Sequence, residues 1–164
     1  MKTLYLVRHA KSDWGNALAG DFERTLNERG MKNAPFMAAI LKQKKVTPEL
    51  VITSPANRAC TTAEIFCETL GYPKEMIQKR IEIYEGGARQ LLKIVQQINE
   101  SCTTVMLFGH NPTITDFSNL LAGYHIDSLV TCGVVRIDLE IKSWKDAAPD
   151  TGNLIWYEFP KKHH

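Results

Sequence analysis

LYLVRHAKS, residues 4–12, is the stretch that decides how the chain reads. Leu4 to Val7 are mostly apolar and form the end of a predicted buried strand, Thr3–Val7. Arg8 and His9 follow at once, with no acidic residue beside them. The same arrangement recurs twice. A short apolar run, Leu50–Thr53, ends in Ser54-Pro55-Ala56-Asn57-Arg58, and another, Thr103–Phe108, ends in Gly109-His110-Asn111-Pro112. Each predicted strand therefore delivers a cationic or imidazole side chain just beyond its carboxyl end.

Helical patterns fill the intervals. Leu26, Met31, Ala34, Met37, Ala38 and Leu41 recur at helical spacing and predict a helix from Asn27 to about Lys42. Pro35 lies inside it, which predicts a break or a later start near Lys32. Ser54-Pro55 reads as a helix start, with Ser as cap and Pro in the first position; Gly71 and Pro73 end that helix after about Leu70. Ile77–Tyr84 reads as a short strand or extended segment. Ala88–Glu100, with Leu91, Leu92, Val95 and Ile98 on one face, and Thr113 to about Leu121 read as helices. Gly133–Ile141 and Leu154–Phe159 flank a polar loop and predict a hairpin. Residues 11–24 read as a loop in which Trp14 and Phe22 are candidate exposed aromatics. Strands alternating with helices predict an α/β fold, a three-layer α/β/α sandwich. Its central sheet is mainly parallel, with antiparallel pairing near the C-terminus. A single domain over residues 1–160 and a disordered tail at 161–164 complete the expectation.

Composition narrows the function. The 164 residues are 44% hydrophobic, enough for a core without staples, and the net charge is +2 with signs mixed. No basic run suggests nucleic acid. No apolar stretch reaches the roughly 18 residues needed to span a membrane, and the N-terminus enters a strand with no leader pattern, so the expectation is a cytoplasmic protein that engages no membrane. Cys60, Cys67, Cys102 and Cys132 form no C-x-x-C pair and have no His at zinc-like spacing, so neither metal nor cofactor is expected. Cys60 and Cys67, seven apart, read as buried thiols on one helix face.

In open α/β sheets ligands bind outside the carboxyl ends of the strands. Arg8, His9, Arg58 and His110 can therefore converge on one small volume. Such a cluster costs electrostatic energy unless an anion fills it, and Arg58 in a first helical turn opposes the helix dipole. A phosphate reverses both penalties through bidentate guanidinium contacts and free backbone N–H groups. Taken singly, each motif has a plainer explanation as solvated surface, turn or cap. The coincidence of three matched strand ends favours the phosphate site.

These residues resemble a known family. Arg8-His9-Ala10, the counterpart of an Arg-His-Gly (RHG) motif, Ser54-Pro55-x-x-Arg58-Ala59-x-x-Thr62-Ala63 and Gly109-His110-Asn111-Pro112 are similar to the histidine phosphatase superfamily, also called phosphoglycerate mutase-like. The Arg-His-Ala-Lys-Ser start and Asp21-Phe22-Glu23-Arg24-Thr25-Leu26-Asn27-Glu28-Arg29-Gly30 resemble its SixA branch of phosphohistidine phosphatases. The resemblance runs from about Leu4 to about Val135. It implies a metal-independent hydrolase in which His9 is the nucleophile, forming a covalent phosphohistidine, while Arg8, Arg58 and His110 hold the phosphoryl oxygens. Arg24 falls on the loop motif. Two readings of it stand: a phosphate or substrate contact, or a loop arginine paired with Asp21 or Glu28.

The departure lies in the general acid. Larger members take a carboxylic acid from the interval between the second Arg and second His; here that interval holds Glu82 and Glu85, neither in the larger enzymes' motif. Glu85, beside Gly86 and Gly87, is the better candidate. An alkoxide leaving group needs a proton, since water-like oxygens have pKa near ~15.7. Imidazole can leave neutral, its conjugate acid having pKa ~6.5. An acid-poor, open site therefore suits phosphohistidine on a partner protein, such as a phosphotransfer domain. The alternatives are a small-molecule phosphomonoesterase using Glu85 as acid, and a non-catalytic phospho-recognition module using the same anion pocket.

Overall fold

The computed structural model describes residues 1–13 and 20–164. Among the described residues six strands form one sheet: β1 (Lys2–Arg8), β2 (Leu50–Thr53), β3 (Gln78–Lys79), β4 (Thr104–Gly109), β5 (Val134–Leu139) and β6 (Gly152–Glu158). Their order is β3-β2-β4-β1-β5-β6. The first four run parallel, and β5 is antiparallel to both β1 and β6. The α-helices among the described residues are α1 (Glu28–Gln43), α2 (Asn57–Leu70), α3 (Ile81–Glu85), α4 (Ala88–Gln96) and α5 (Thr113–Ala122). The three-layer α/β/α sandwich and the C-terminal hairpin match the expectation.

Alternation along the central strands splits the core in two. Leu4 and Leu6 of β1, with Val105 and Leu107 of β4, face Leu91 and Val95 of α4 and Phe117 and Leu121 of α5. Tyr5 and Val7, with Met106 and Phe108, face Met37 and Leu41 of α1 and Phe66 of α2. Both faces of β1 and β4 are thus covered, which is why those strands read as near-continuous apolar runs.

Register positions the site. Arg8 pairs with Gly109 and Thr53 with Phe108, so β1, β4 and β2 end level. The His9 N–H donates to the Gly109 carbonyl at 3.1 Å, and the Ser54 N–H to the Phe108 carbonyl at 3.1 Å, carrying that alignment one residue past each strand.

Four local expectations change. α1 runs through Pro35 unbroken; the proline lies on the exposed face, where water can take the carbonyl bond it forfeits. Met31 is likewise exposed, and Gly30 instead is buried. α2 begins at Asn57 rather than at Pro55, with Ala56 as its cap residue and no side-chain cap. Ile77–Tyr84 is not one extended segment: β3 occupies only two residues, and Ile81–Glu85 turns helical. Pro160–His163 form a 3₁₀ turn whose Lys162 and His163 side chains meet Glu158. Gly71, at φ +81°, ends α2 in the left-handed conformation that glycine tolerates. Cys67 is buried, Cys60 only partly so, and all four thiols are free. Among the described residues no helix is long and apolar enough to cross a membrane.

Candidate active site

The three strand ends bring their cargo together. The His9 and His110 rings lie with centroids 5.2 Å apart. His9 is 7% exposed and Arg58 5%. Arg8, Arg58 and Arg24 all act electrostatically on His9, and Arg58 and Arg24 on His110. Trp14, one of the two candidate exposed aromatics, lies outside the described residues.

His9 is set up by one bond. Its Nδ1 stands 2.7 Å from the Ala10 carbonyl. A carbonyl only accepts, so Nδ1 carries the ring's proton and Nε2 is the bare nitrogen of the neutral imidazole. Burial pushes the His9 pKa down to about 4, against the opposing pull of the Ala10 carbonyl, and the charges of Arg58, Arg8 and Arg24 lower it further. The ring is neutral at physiological pH for a reason visible in its surroundings. Thr62 ties the loop after β1 to α2: its Oγ1 accepts from the Ala10 N–H at 3.0 Å and donates to the Arg58 carbonyl at 2.7 Å.

His110 is partly buried against Ser54, with Nε2 2.7 Å from Ser54 Oγ. Burial first, then the neighbouring His9 and Arg58, lower its pKa to about 3. Ser54 Oγ also accepts the Ala56 N–H at 3.2 Å. Ser54, read from the sequence as a helix cap, is thus a site residue. The Ser-Pro signal marked the place and hid the role.

Each arginine has an anchor. Arg8 Nη1 donates to the Leu129 carbonyl at 2.8 Å. That carbonyl also takes Asn111 Nδ2 at 2.9 Å, and Thr115 Oγ1 links Asn111 to the Leu129 N–H. Asn111 of the Gly-His-Asn-Pro motif therefore braces the segment that holds Arg8. Arg58 Nη1 donates to the Asp21 carbonyl at 2.6 Å, and Nη2 to Asp21 Oδ2 at 3.1 Å. Arg24 Nη2 stands 3.0 Å from the other Asp21 oxygen. Of the two readings of Arg24, the pairing with Asp21 is the one the structure shows, and its charge also acts on both histidines.

A rim that includes Asp21, Phe22 and Tyr84 borders this floor, and Tyr84 is the member that sequence reasoning missed. The Tyr84 hydroxyl donates to Asp21 Oδ2 at 2.7 Å, and its ring meets those of Phe22 and His110 edge-on, at 5.2 and 5.6 Å. The Tyr84 hydrogen bond, then Arg58 and Arg24, hold the Asp21 carboxyl below its usual range. Asp21 is an ionised acceptor here. Glu82 is engaged by Arg80 at 2.7 Å. Glu85 is exposed, and among the described residues it makes no hydrogen bond or ion pair.

Three buried nitrogens of the floor, Arg8 Nε, Arg58 Nε and His110 Nδ1, have no hydrogen-bond partner among the described residues. Buried donors are nearly always satisfied, and a cluster of exceptions marks a place built for a ligand. Two of the three are guanidinium nitrogens, a chemistry that suits an anion.

Comparison with known proteins agrees with this geometry. The sequence model of the histidine phosphatase superfamily (branch 1) matches residues 4–106, and the chain belongs to that family. The match contains Arg8, His9, Arg24 and Arg58 and stops short of His110. The crystal structure of the putative phosphohistidine phosphatase SixA from Agrobacterium tumefaciens is 25% identical, with TM-score 0.81 over 97% of this chain and 98% of that one. The protein histidine phosphatase SixA complexed with tungstate superposes with TM-score 0.86 at 23% identity, over 99% of both chains. An uncharacterised chloroplastic protein of Arabidopsis thaliana is 26% identical over 94% of this chain and 74% of its own length. Family and fold support a phosphatase.

Proposed function

We propose that the chain is a phosphatase acting through a covalent phosphohistidine on His9, and that its substrate is phosphohistidine on a partner protein. The observation that carries the reading is the 2.7 Å contact of His9 Nδ1 with the Ala10 carbonyl. It leaves a neutral ring with Nε2 free to attack, set among guanidinium groups.

In the first step Nε2 forms a bond to phosphorus while the substrate's P–N bond breaks in line. Arg8, Arg58 and His110 hold the three equatorial oxygens, where positioning and electrostatics supply nearly all of the rate. In the tautomer that carries its proton on Nδ1, His110 accepts from Ser54 at Nε2 and presents Nδ1–H to the phosphoryl group. Arg24 adds a fourth positive group. The substrate imidazole leaves neutral if its other nitrogen is already protonated, so no carboxylic acid is required. Water then attacks the phosphohistidine, releasing inorganic phosphate and restoring His9.

Two observations favour the acid-poor route. Asp21, the carboxylate at the site, is held ionised by its donors. Glu85 is exposed and unengaged among the described residues. Likeness to structures described as SixA phosphohistidine phosphatases points the same way.

The test is single-turnover hydrolysis of a phosphohistidine-bearing phosphotransfer protein, beside a phosphoserine peptide and p-nitrophenyl phosphate, with His9→Ala as control. The expected result is rapid, His9-dependent loss of phosphohistidine with much slower ester cleavage. Equal or faster ester turnover would replace this reading with the small-molecule phosphomonoesterase. Tight binding of the phosphoprotein without turnover would make the chain a recognition module.

A further inference from the structure

A second cationic surface adjoins the phosphoryl site along the chain. Lys11, Arg29 and Lys161 line one cleft of about 220 Å³. They come from the loop after β1, the first turn of α1 and the C-terminal 3₁₀ turn. Lys11 lies two residues beyond His9. Val130 and Thr131, also in the lining, lie between Leu129, whose carbonyl holds Arg8, and Cys132, whose N–H bonds the Arg8 and His9 carbonyls at 3.0 and 3.1 Å. One wall of the cleft and the phosphoryl floor are thus parts of the same framework.

The convergence of charge is enforced by packing. A Cβ on Gly30 would fall 2.2 Å from the Lys11 carbonyl oxygen, so the first turn of α1 rests directly on the Lys11 backbone. That places Arg29 beside Lys11. Among the described residues none of the three cations stands in an ion pair, whereas Lys162, next to Lys161, is taken by Glu158 at 3.0 Å. Glu28, the neighbour of Arg29, does not line the cleft. Arg29 also sits at the positive end of a 16-residue helix, where a cation is unfavourable unless an anion comes to it. The same argument singled out Arg58.

Size and lining decide between occupants. Pockets that enclose a whole metabolite run to roughly 300–1,000 Å³, and this cleft is smaller. Its apolar part, Val130 at 44% exposure with Phe159 and Pro160, suits the aliphatic stems of side chains rather than a free anion.

We propose that the cleft is a docking subsite for an acidic segment of the protein substrate, close to its phosphorylated residue. Carboxylates of that segment meet Lys11, Arg29 and Lys161 while the phosphoryl group meets His9. The proposal rests on the protein-substrate reading above.

Two synthetic phosphohistidine peptides test it, one flanked by glutamates and the other by glutamines, with p-nitrophenyl phosphate as a small substrate. The enzymes are wild type and the triple variant Lys11→Gln/Arg29→Gln/Lys161→Gln. Three exposed charge contacts, each worth a few-fold at most, give the glutamate peptide an advantage of about tenfold in kcat/KM. The advantage shrinks with added salt. It falls below about twofold in the triple variant, while p-nitrophenyl phosphate turnover is unchanged. A wild type without preference, or a preference that survives in the variant, overturns the proposal. Anisotropy of the unphosphorylated glutamate peptide separates this outcome from failure of the substrate reading. Binding lost in the variant supports the subsite even where neither phosphopeptide is cleaved, and no binding to wild type overturns it. Binding of citrate to the cleft as tight as that of the peptide would make it a small-anion site instead.

Discussion

The floor and the rim of the site are built by different means. The floor, with Arg8, His9, Ser54, Arg58 and His110, stands on the ends of β1, β2 and β4 and is fixed by sheet register and buried hydrogen bonds. The rim, with Asp21, Phe22, Arg24 and Tyr84, is held by side chains touching one another, and the Asp21 side chain is 50% exposed. The backbone positions the groups that we propose meet the phosphoryl oxygens. Side-chain contacts, including those of Arg58 with the Asp21 carbonyl and carboxylate, position the groups that tune the charge around them. Substitutions in the floor therefore cost far more than substitutions in the rim.

The sharpest break of that contrast would come from Arg58. Arg58→Ala removes a buried guanidinium that the proposed mechanism assigns to the phosphoryl oxygens, and kcat/KM for p-nitrophenyl phosphate should fall about 10³-fold. A loss under tenfold would move Arg58 from the floor to the rim. Ser54→Ala comes next. It deletes one hydrogen bond that orients His110, and a decrease of about tenfold in kcat is expected from stopped-flow or steady-state assay, with folding retained by circular dichroism.

Asp21→Asn probes the rim in the opposite direction. Its carboxylate occupies Arg58 and Arg24, so removing one negative charge should tighten tungstate or phosphate binding about fivefold by calorimetry. Weaker binding would mean that Asp21 acts mainly as a brace for Arg58. Glu85→Gln should change phosphohistidine turnover less than twofold. A large loss confined to alkyl esters would restore Glu85 as an acid.

Acid pH separates floor from rim by another route. His9 is held neutral down to about 4. Protonation removes the nucleophile, so kcat/KM, corrected for ionisation of the substrate, should fall as pH drops through about 4 rather than near 6.5. Stability follows the same imbalance. The unfolded chain takes up protons on histidine near ~6.5, before folded His9 does, so stability declines as pH falls from ~6.5 towards about 4. Thermal melts of His9→Asn should show a shallower decline over that window.

The two regions were also unequally legible. Leu4–Val7 and Thr103–Phe108 declare buried strands by composition alone, and the strand-end rule then places His9 and His110. Arg58 followed because its helix start was marked. Ser54 was misjudged because Ser-Pro signals a helix whatever its hydroxyl goes on to touch. Tyr84 was invisible for a different reason. Ile81-Glu82-Ile83-Tyr84-Glu85 alternates like a strand and is too short to show a helical period. Long-range bonds, such as Arg80 N–H to the Thr53 carbonyl at 3.0 Å, locate the segment, and a local bond from the Gly86 N–H to the Glu82 carbonyl at 2.7 Å closes its helical turn. The Asp21 network spans 63 residues of sequence to reach Tyr84, which no local pattern reports.

The pairing of Arg8 with Gly109 makes the spacing of the two histidines a discrete quantity. Strands slide in whole residues, and a one-residue slip would turn every core side chain of β1 to the wrong face. No graded misalignment lies between the correct spacing and a ruined core. The two imidazoles behave like marks on a ruler that has only whole divisions: loops around them can lengthen, shorten or change sequence, and the marks remain opposite each other.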